Sequence, residues 1–303
     1  MRVLVSGAAG FLGRRLVPFL ESNGYEVYAL SRSEKIGRHP LVMADVNADS
    51  LRAALEGIDL DAVVNLAAAG VRPGERGIEL LTRVNSVLPC ELLAAASRRG
   101  ARMFLQTGTC AEYAASQLGV LLSEESPIAY DKAYGATKAA ASMLLPLWGR
   151  EYAVRVVTLR LFNVFGPGEA AHRLLPSLIR SLRVGETVPL SIGTQLRDFL
   201  HVDDVCRAMF AMLRAMDADQ RINGVFNLAS GTPMSVAEFA RRVAAAVGVS
   251  EALLLFGSLS LRPDDLPCVV GDSSKLQAAC GWSPPADIGK AIDDAVKEML
   301  CAH

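Results

Sequence analysis

The chain has 303 residues, 51% hydrophobic and 21% charged, which excludes a disordered or fibrous protein and leaves room for one large domain or two intimate ones. Lys and Arg number 31 against 32 for Asp and Glu, a formal net charge of -1, so there is no basic field to hold a nucleic-acid backbone. The cysteines (Cys90, Cys110, Cys206, Cys268, Cys280, Cys301) are scattered without a C-x-x-C pair or a His cluster, and read as reduced thiols rather than metal ligands. An apolar strand starts at Arg2, ahead of any signal-peptide pattern, and no apolar run is long enough to span a membrane, so the expectation is a cytoplasmic protein without a membrane partner.

In chain order, β-branched or apolar runs at 3–5, 26–30, 61–66, 102–106 and 154–161 read as strands. Helical spacing fills 12–21, 75–98 and 134–148. Strand and helix alternate, which predicts βαβ units and an α/β fold with a doubly wound parallel sheet. After Phe162 the rhythm breaks at Gly166-Pro167-Gly168, and a smaller second domain is expected there. Within it, Ser235-Val236-Ala237-Glu238 has the form of a capping box for a helix through Val247. Asn223-Gly224 marks a turn before a strand at 225–228.

The first strand runs into Gly7-Ala8-Ala9-Gly10-Phe11-Leu12-Gly13, a G-x-x-G-x-x-G loop that opens a helix. Glycines there let a pyrophosphate approach the backbone at the positive end of the helix; the other reading is an ordinary glycine-rich turn. After the second strand, where an acidic residue would bind the ribose 2′-hydroxyl of NAD, stands Ser31-Arg32-Ser33. A guanidinium pairs with a phosphate, so NADP(H) is favoured and NAD(H) remains possible; an exposed surface arginine is the alternative. Tyr134 and Lys138 lie four apart in a helical stretch and share a face, which suits general acid–base chemistry by a tyrosine whose pKa a nearby cation lowers. Thr109, in Thr107-Gly108-Thr109, follows a strand at the carboxyl edge of the sheet and could bond a substrate carbonyl or simply cap the next segment.

Together these segments resemble the extended short-chain dehydrogenase/reductase family, the NAD(P)-dependent epimerases, dehydratases and reductases of nucleotide sugars. The resemblance implies a Rossmann-type domain over 1–161 and a mixed α/β substrate-binding domain over 162–303, with a helix near 203–214 returning to the first. It implies Thr109, Tyr134 and Lys138 as the catalytic set. Asp45-Val46 would contact adenine, and Leu66-Ala67-Ala68 and Asn85 would lie beside the cofactor, with Asn65 standing where the family usually has His. Asn163, Arg197 and Arg262 would hold the diphosphate of a nucleotide-diphosphate sugar, unless Arg197 serves only a local pair with Asp198, and Arg262 only pairs with Asp264 and Asp265. A homodimer through the helices at 75–98 and 134–148 is also implied, although their apolar residues could equally be core.

Family members that eliminate water carry an acid and a base directly after the catalytic hydroxyl, where this chain has Cys110 and Ala111, with Glu112 one place out of register. That disfavours a 4,6-dehydratase. Combined 3,5-epimerase/reductases keep a Cys where Ala111 stands, although Cys110 and His172 leave that reading open. A 4-keto reduction consuming NADPH and a 4-epimerisation retaining NAD need only Thr109, Tyr134 and Lys138, and Arg32 tips the expectation towards a nucleotide-sugar 4-ketoreductase. A non-catalytic NADPH-binding sensor is the reading from another class.

Overall fold

The computed structural model describes residues 1–115, 118–261 and 265–301. The first half builds β1 (Arg2–Ser6), α1 (Phe11–Ser22), β2 (Glu26–Ser31), β3 (His39–Val42), α2 (Ala48–Ala54), β4 (Ala62–Asn65), α3 (Ile78–Thr82), α4 (Leu88–Ser97), β5 (Met103–Thr109), α5 (Ala133–Glu151) and β6 (Arg155–Leu161). The second half adds β7 (Asn163–Phe165), α6 (Leu174–Leu182), β8 (Val188–Leu190), β9 (Leu196–His201), α7 (Val202–Ala218), β10 (Gly224–Leu228), β11 (Pro233–Ser235), α8 (Val236–Val247), β12 (Leu254–Phe256), β13 (Cys268–Val269), α9 (Ser274–Cys280) and α10 (Ile288–Cys301).

The large sheet has seven strands in the order β10-β6-β5-β4-β1-β2-β3, every pair parallel. Its central strands are apolar throughout because helices cover both faces. On one face α1 and α7 pack Leu16, Leu20, Met209 and Leu213 onto Val3, Val5, Leu105 and Leu159. On the other, Leu51, Leu92, Leu93 and Leu145 from α2, α4 and α5 cover Leu4, Val63 and Phe104. A smaller core joins α6, α8 and α10 around Phe165, Phe199 and Phe239. There β9 is flanked by β11 and β13 and also pairs with β7.

Two crossings tie the halves together. Helix α7 packs against α1, and β10 extends the large sheet beyond β6, so a strand from beyond residue 162 belongs to the first sheet. The capping box at Ser235 and Glu238 forms, contributing about 1 kcal/mol to the start of α8. The stretch expected as one helix over 75–98 is divided: a π turn at Arg83–Val87 separates α3 from α4 and buries Asn85. Strand β3 and helix α2 are additions that the apolar pattern did not mark.

Candidate active site

At the carboxyl end of β1 the chain reverses at Gly7, whose φ of 71° is left-handed. A Cβ there would stand 2.8 Å from the Leu66 carbonyl carbon and the Ala67 nitrogen, so only glycine lets this turn lie on the segment following β4. At Gly13 a Cβ would come within 2.4 Å of the Ala8 oxygen, which is why α1 can dock on the loop. Gly10 is the N-cap and offers no side chain; the first helical bond runs from the Arg14 N–H to its carbonyl at 3.0 Å. The N–H groups of Phe11, Leu12 and Gly13 therefore lie outside the helical ladder at the positive helix end.

At the end of β2 the buried Ser31 hydroxyl is committed to its own turn: it accepts from the Glu34 N–H at 3.1 Å and donates to the Glu34 carbonyl. Arg32 beside it is exposed and has no partner among the described residues. Arg14, on the first turn of α1, pairs with Glu34. Asp45 is exposed and accepts from Asn47 Nδ2 at 2.9 Å, while the Val46 carbonyl accepts from Arg83 Nη2 at 3.3 Å.

Between β1, β4 and β5 lies a buried amide network. Asn65 Oδ1 accepts from Ser6 Oγ and from the Ala67 N–H, and Asn65 Nδ2 donates to Gln106 at 2.7 Å. Asn85 is fully committed: it accepts from the Ala69 N–H at 2.9 Å and donates to the Ala69 carbonyl and Thr137 Oγ1. It thus ties Ala69, which follows Leu66-Ala67-Ala68, to Thr137 on α5, one residue before Lys138.

The catalytic candidates converge above this network. Gly135 brings α5 against the 3-10 turn Cys110–Glu112, for a Cβ there would lie 2.0 Å from the Ala111 oxygen. That approach brings Tyr134 into the neighbourhood of Thr109, whose side chain favours the tyrosinate. Thr109 Oγ1 also accepts from the Ala111 N–H at 3.2 Å. Burial, with Cys110 and Glu112 close by, pushes Tyr134 up to about 12, while Thr109 and Arg173 pull the other way. The sequence expected a tyrosine depressed by a nearby ammonium together with a positive nicotinamide; in the chain by itself burial is the largest influence and raises it. Lys138 is only 2% exposed. Burial lowers it to about 8, against the Glu112 charge, which raises it.

Glu112 itself lies beneath the site, fully buried. One carboxylate oxygen accepts from the Thr109 N–H at 2.9 Å, the other from Arg160 Nε at 2.8 Å and Ser142 Oγ at 3.0 Å. Cys110 is pushed up to about 12 by burial and is a thiol at neutral pH.

In the second half, Asn163 begins β7 in register with Phe199. Arg197 donates to the Leu196 and Leu266 carbonyls at 2.8 Å and pairs with Asp265, not with the neighbouring Asp198 that the local-pair alternative gave it. Asp198 does not join it; its carboxylate accepts from the N–H groups of Ser230, Gly231 and Gly271 and from Ser230 Oγ. Arg262 lies outside the described residues.

Residues 3–229 match the NAD dependent epimerase/dehydratase family. The chain belongs to this family. It is 31% identical, with 99% of each chain covered, to the low-salt glycan biosynthesis protein Agl12 of Haloferax volcanii. It is 28% identical to a dTDP-4-dehydro-6-deoxy-D-allose reductase of a Streptomyces species, over 93% of this chain and 91% of that one. Among solved structures, the UDP-glucose 4-epimerase of Thermus thermophilus with NAD superposes with a TM-score of 0.87 at 27% identity, covering 100% of both chains. As a member of the extended short-chain dehydrogenase/reductases the protein is an enzyme of NAD(P)-dependent oxidoreductase type with a Rossmann-like α/β fold.

The residues present fit the dinucleotide of this family. The Gly7 and Gly13 cradle leaves no space for side chains, the α1 N–H groups are uncapped, and Lys138, 2% exposed, stands one turn from Tyr134 on α5. No group of three or more His, Cys, Asp or Glu among the described residues could hold a metal ion. Likewise, no helix there is long and apolar enough to cross a membrane. Two site features escaped the sequence. One is the Glu112–Arg160 pair. The other is Glu169, whose side chain is 7% exposed and accepts from Arg173 Nε at 3.2 Å. Its second oxygen has no partner, and burial raises it to about 7. The early signal for both was an acidic residue inside an otherwise apolar or glycine-rich motif.

Proposed function

We propose that the protein reduces a nucleotide-linked 4-keto-6-deoxy sugar to the 4-hydroxy sugar with NADPH. The observation that carries this reading is Arg32, an exposed guanidinium without a partner among the described residues at the end of β2, where an NADP 2′-phosphate would sit. Ser31 adds nothing to that contact while its hydroxyl stays with Glu34. Gly7, Gly10, Phe11, Leu12 and Gly13 would hold the pyrophosphate, Asp45 and Val46 the adenine, and Lys138 the ribose. Leu66, Ala67 and Ala68 would line the site, with Asn85 holding Ala69 directly after them. Asn163, Arg197 and Arg262 would grip the sugar's diphosphate, Arg197 exchanging Asp265 for phosphate.

A reduced nicotinamide, when bound, would supply the hydride for C4. Tyr134 holds its proton at neutral pH, which suits a donor: it protonates the C4 oxygen, and the resulting tyrosinate is neutralised by the Lys138 ammonium. Thr109, its oxygen already accepting from the Ala111 N–H, directs its hydroxyl proton at the same carbonyl. Glu112 is not available to an elimination, since its carboxylate is tied to Arg160 and Ser142 beneath the turn.

The exposed apolar side chains of α5, Met143 at 71% and Leu147 at 52%, together with Ile78 on α3, support the homodimer expected across these helices. A 4-epimerase is the second reading, favoured by the likeness to the Thermus thermophilus epimerase with NAD. The deciding experiment denatures the purified protein to identify any dinucleotide it releases, then titrates cofactor-free protein with NADPH and NADH. A preference for NADPH that Arg32→Glu abolishes supports reduction. Tightly held NAD supports epimerisation.

A further inference from the structure

Arg160 and Lys138 are both buried cations, and both lie near one carboxylate. Arg160 needs Glu112: its Nε donates to it at 2.8 Å, its carbon centre sits 4.5 Å above the Tyr113 ring, and its Nη1 has no hydrogen-bond partner. Tyr113 in turn donates to Asn227 on β10 at 2.6 Å. Ser142, one turn after Lys138 on α5, donates to the same Glu112 oxygen as Arg160. Gly108 leaves room for the carboxylate to reach the Thr109 N–H, because a Cβ there would lie 2.6 Å from Glu112 Oε1.

We propose that Glu112 is a positioning residue of this site, whose carboxylate fixes the Thr109 turn through the Thr109 N–H and supplies the negative charge beside which the Lys138 ammonium is buried. Arg160 and Ser142 hold that charge in place. The inference rests on reading Tyr134 and Lys138 as the proton relay. Around Lys138, Glu112 is the charged group that raises its proton affinity; around Tyr134 stand Cys110, Glu112 and Arg173; around Glu112 stand Arg160 and, beyond it, Tyr113 with Glu124. Removing the charge therefore lowers the proton affinity of both Lys138 and Tyr134.

The test compares Glu112→Gln, Glu112→Asp and the double variant Glu112→Gln with Arg160→Met, which removes both charges and leaves no buried ion alone. NADPH dissociation constants and turnover are measured across pH. The double variant should lose NADPH affinity at a pH about one unit below wild type, a tenfold fall in the proton affinity of Lys138, with the alkaline limb of turnover moving the same way. Glu112→Asp, which keeps the charge, should keep the wild-type limb. Wild-type pH dependence in the double variant, with or without reduced turnover, makes Glu112 structural only and overturns the proposal. A wild-type protein that reduces no 4-keto sugar sinks the proposed reaction, while the NADPH-binding limb still decides the role of Glu112.

Discussion

The floor of the crevice and its mouth treat polar groups in opposite ways. On the floor, Asn65, Asp198 and Glu112 each accept or donate several hydrogen bonds to fixed neighbours, so their burial costs little net stability. At the mouth, one oxygen of Glu169 is buried without a partner among the described residues, and Arg32 reaches solvent unpaired, while Lys138 on α5 is 2% exposed. The floor fixes geometry, and the mouth keeps binding capacity in reserve at a cost in stability.

The comparison breaks most sharply at Tyr134. Tyr134→Phe removes the proton donor and leaves the cradle intact, so turnover should fall by about a thousandfold while NADPH affinity stays within about twofold. Unchanged turnover in a single-turnover assay would remove Tyr134 from the chemistry. On the floor, Arg160→Leu strands the Glu112 carboxylate and should destabilise the protein by about 3–5 kcal/mol in urea unfolding. A change under about 1 kcal/mol would show that the pair is not buried as described.

Lys138→Met sharpens the contrast, because it should abolish turnover and yet stabilise the cofactor-free protein. Burial holds Lys138 at about 8 in the folded chain against 10.5 when unfolded, so the unfolded chain binds more protons between those values. The cost is full below about pH 8, on the order of 3 kcal/mol, and disappears as pH rises towards 10.5. The variant's advantage in melting temperature should follow that window. An equal advantage at pH 7 and pH 10.5 would contradict the assignment. The smallest effect belongs to Arg32→Glu, expected to weaken NADPH binding by about ten- to a hundredfold and to leave melting of the cofactor-free protein unaltered.

Much of the floor's scaffold was legible in sequence because it rests on local rules: apolar runs for β1, β4, β5 and β6, glycines for the turn at Gly7, helical spacing for α5. The sheet membership of β10 was not, since pairing with β6 joins residues far apart in the chain. The π turn around Asn85 was hidden because its cause is tertiary: Asn85 reaches Ala69 and Thr137. Strand β3 carries no apolar alternation and contains Pro40, as an edge strand can. Glu112 read as a misplaced acid because its partner Arg160 lies 48 residues on. Tyr134 misled in the same way, for spacing revealed Lys138 on its face but not the burial that outweighs it.

The central claim is net reduction of a ketosugar, and the most direct measurement mixes the protein with NADPH and a nucleotide-linked 4-keto-6-deoxyhexose and follows both cofactor and sugar. The account predicts one NADPH oxidised for each 4-hydroxy sugar formed, with NADH much slower. Interconversion of 4-epimers of a nucleotide sugar, with bound NAD and no net consumption of cofactor, would contradict it.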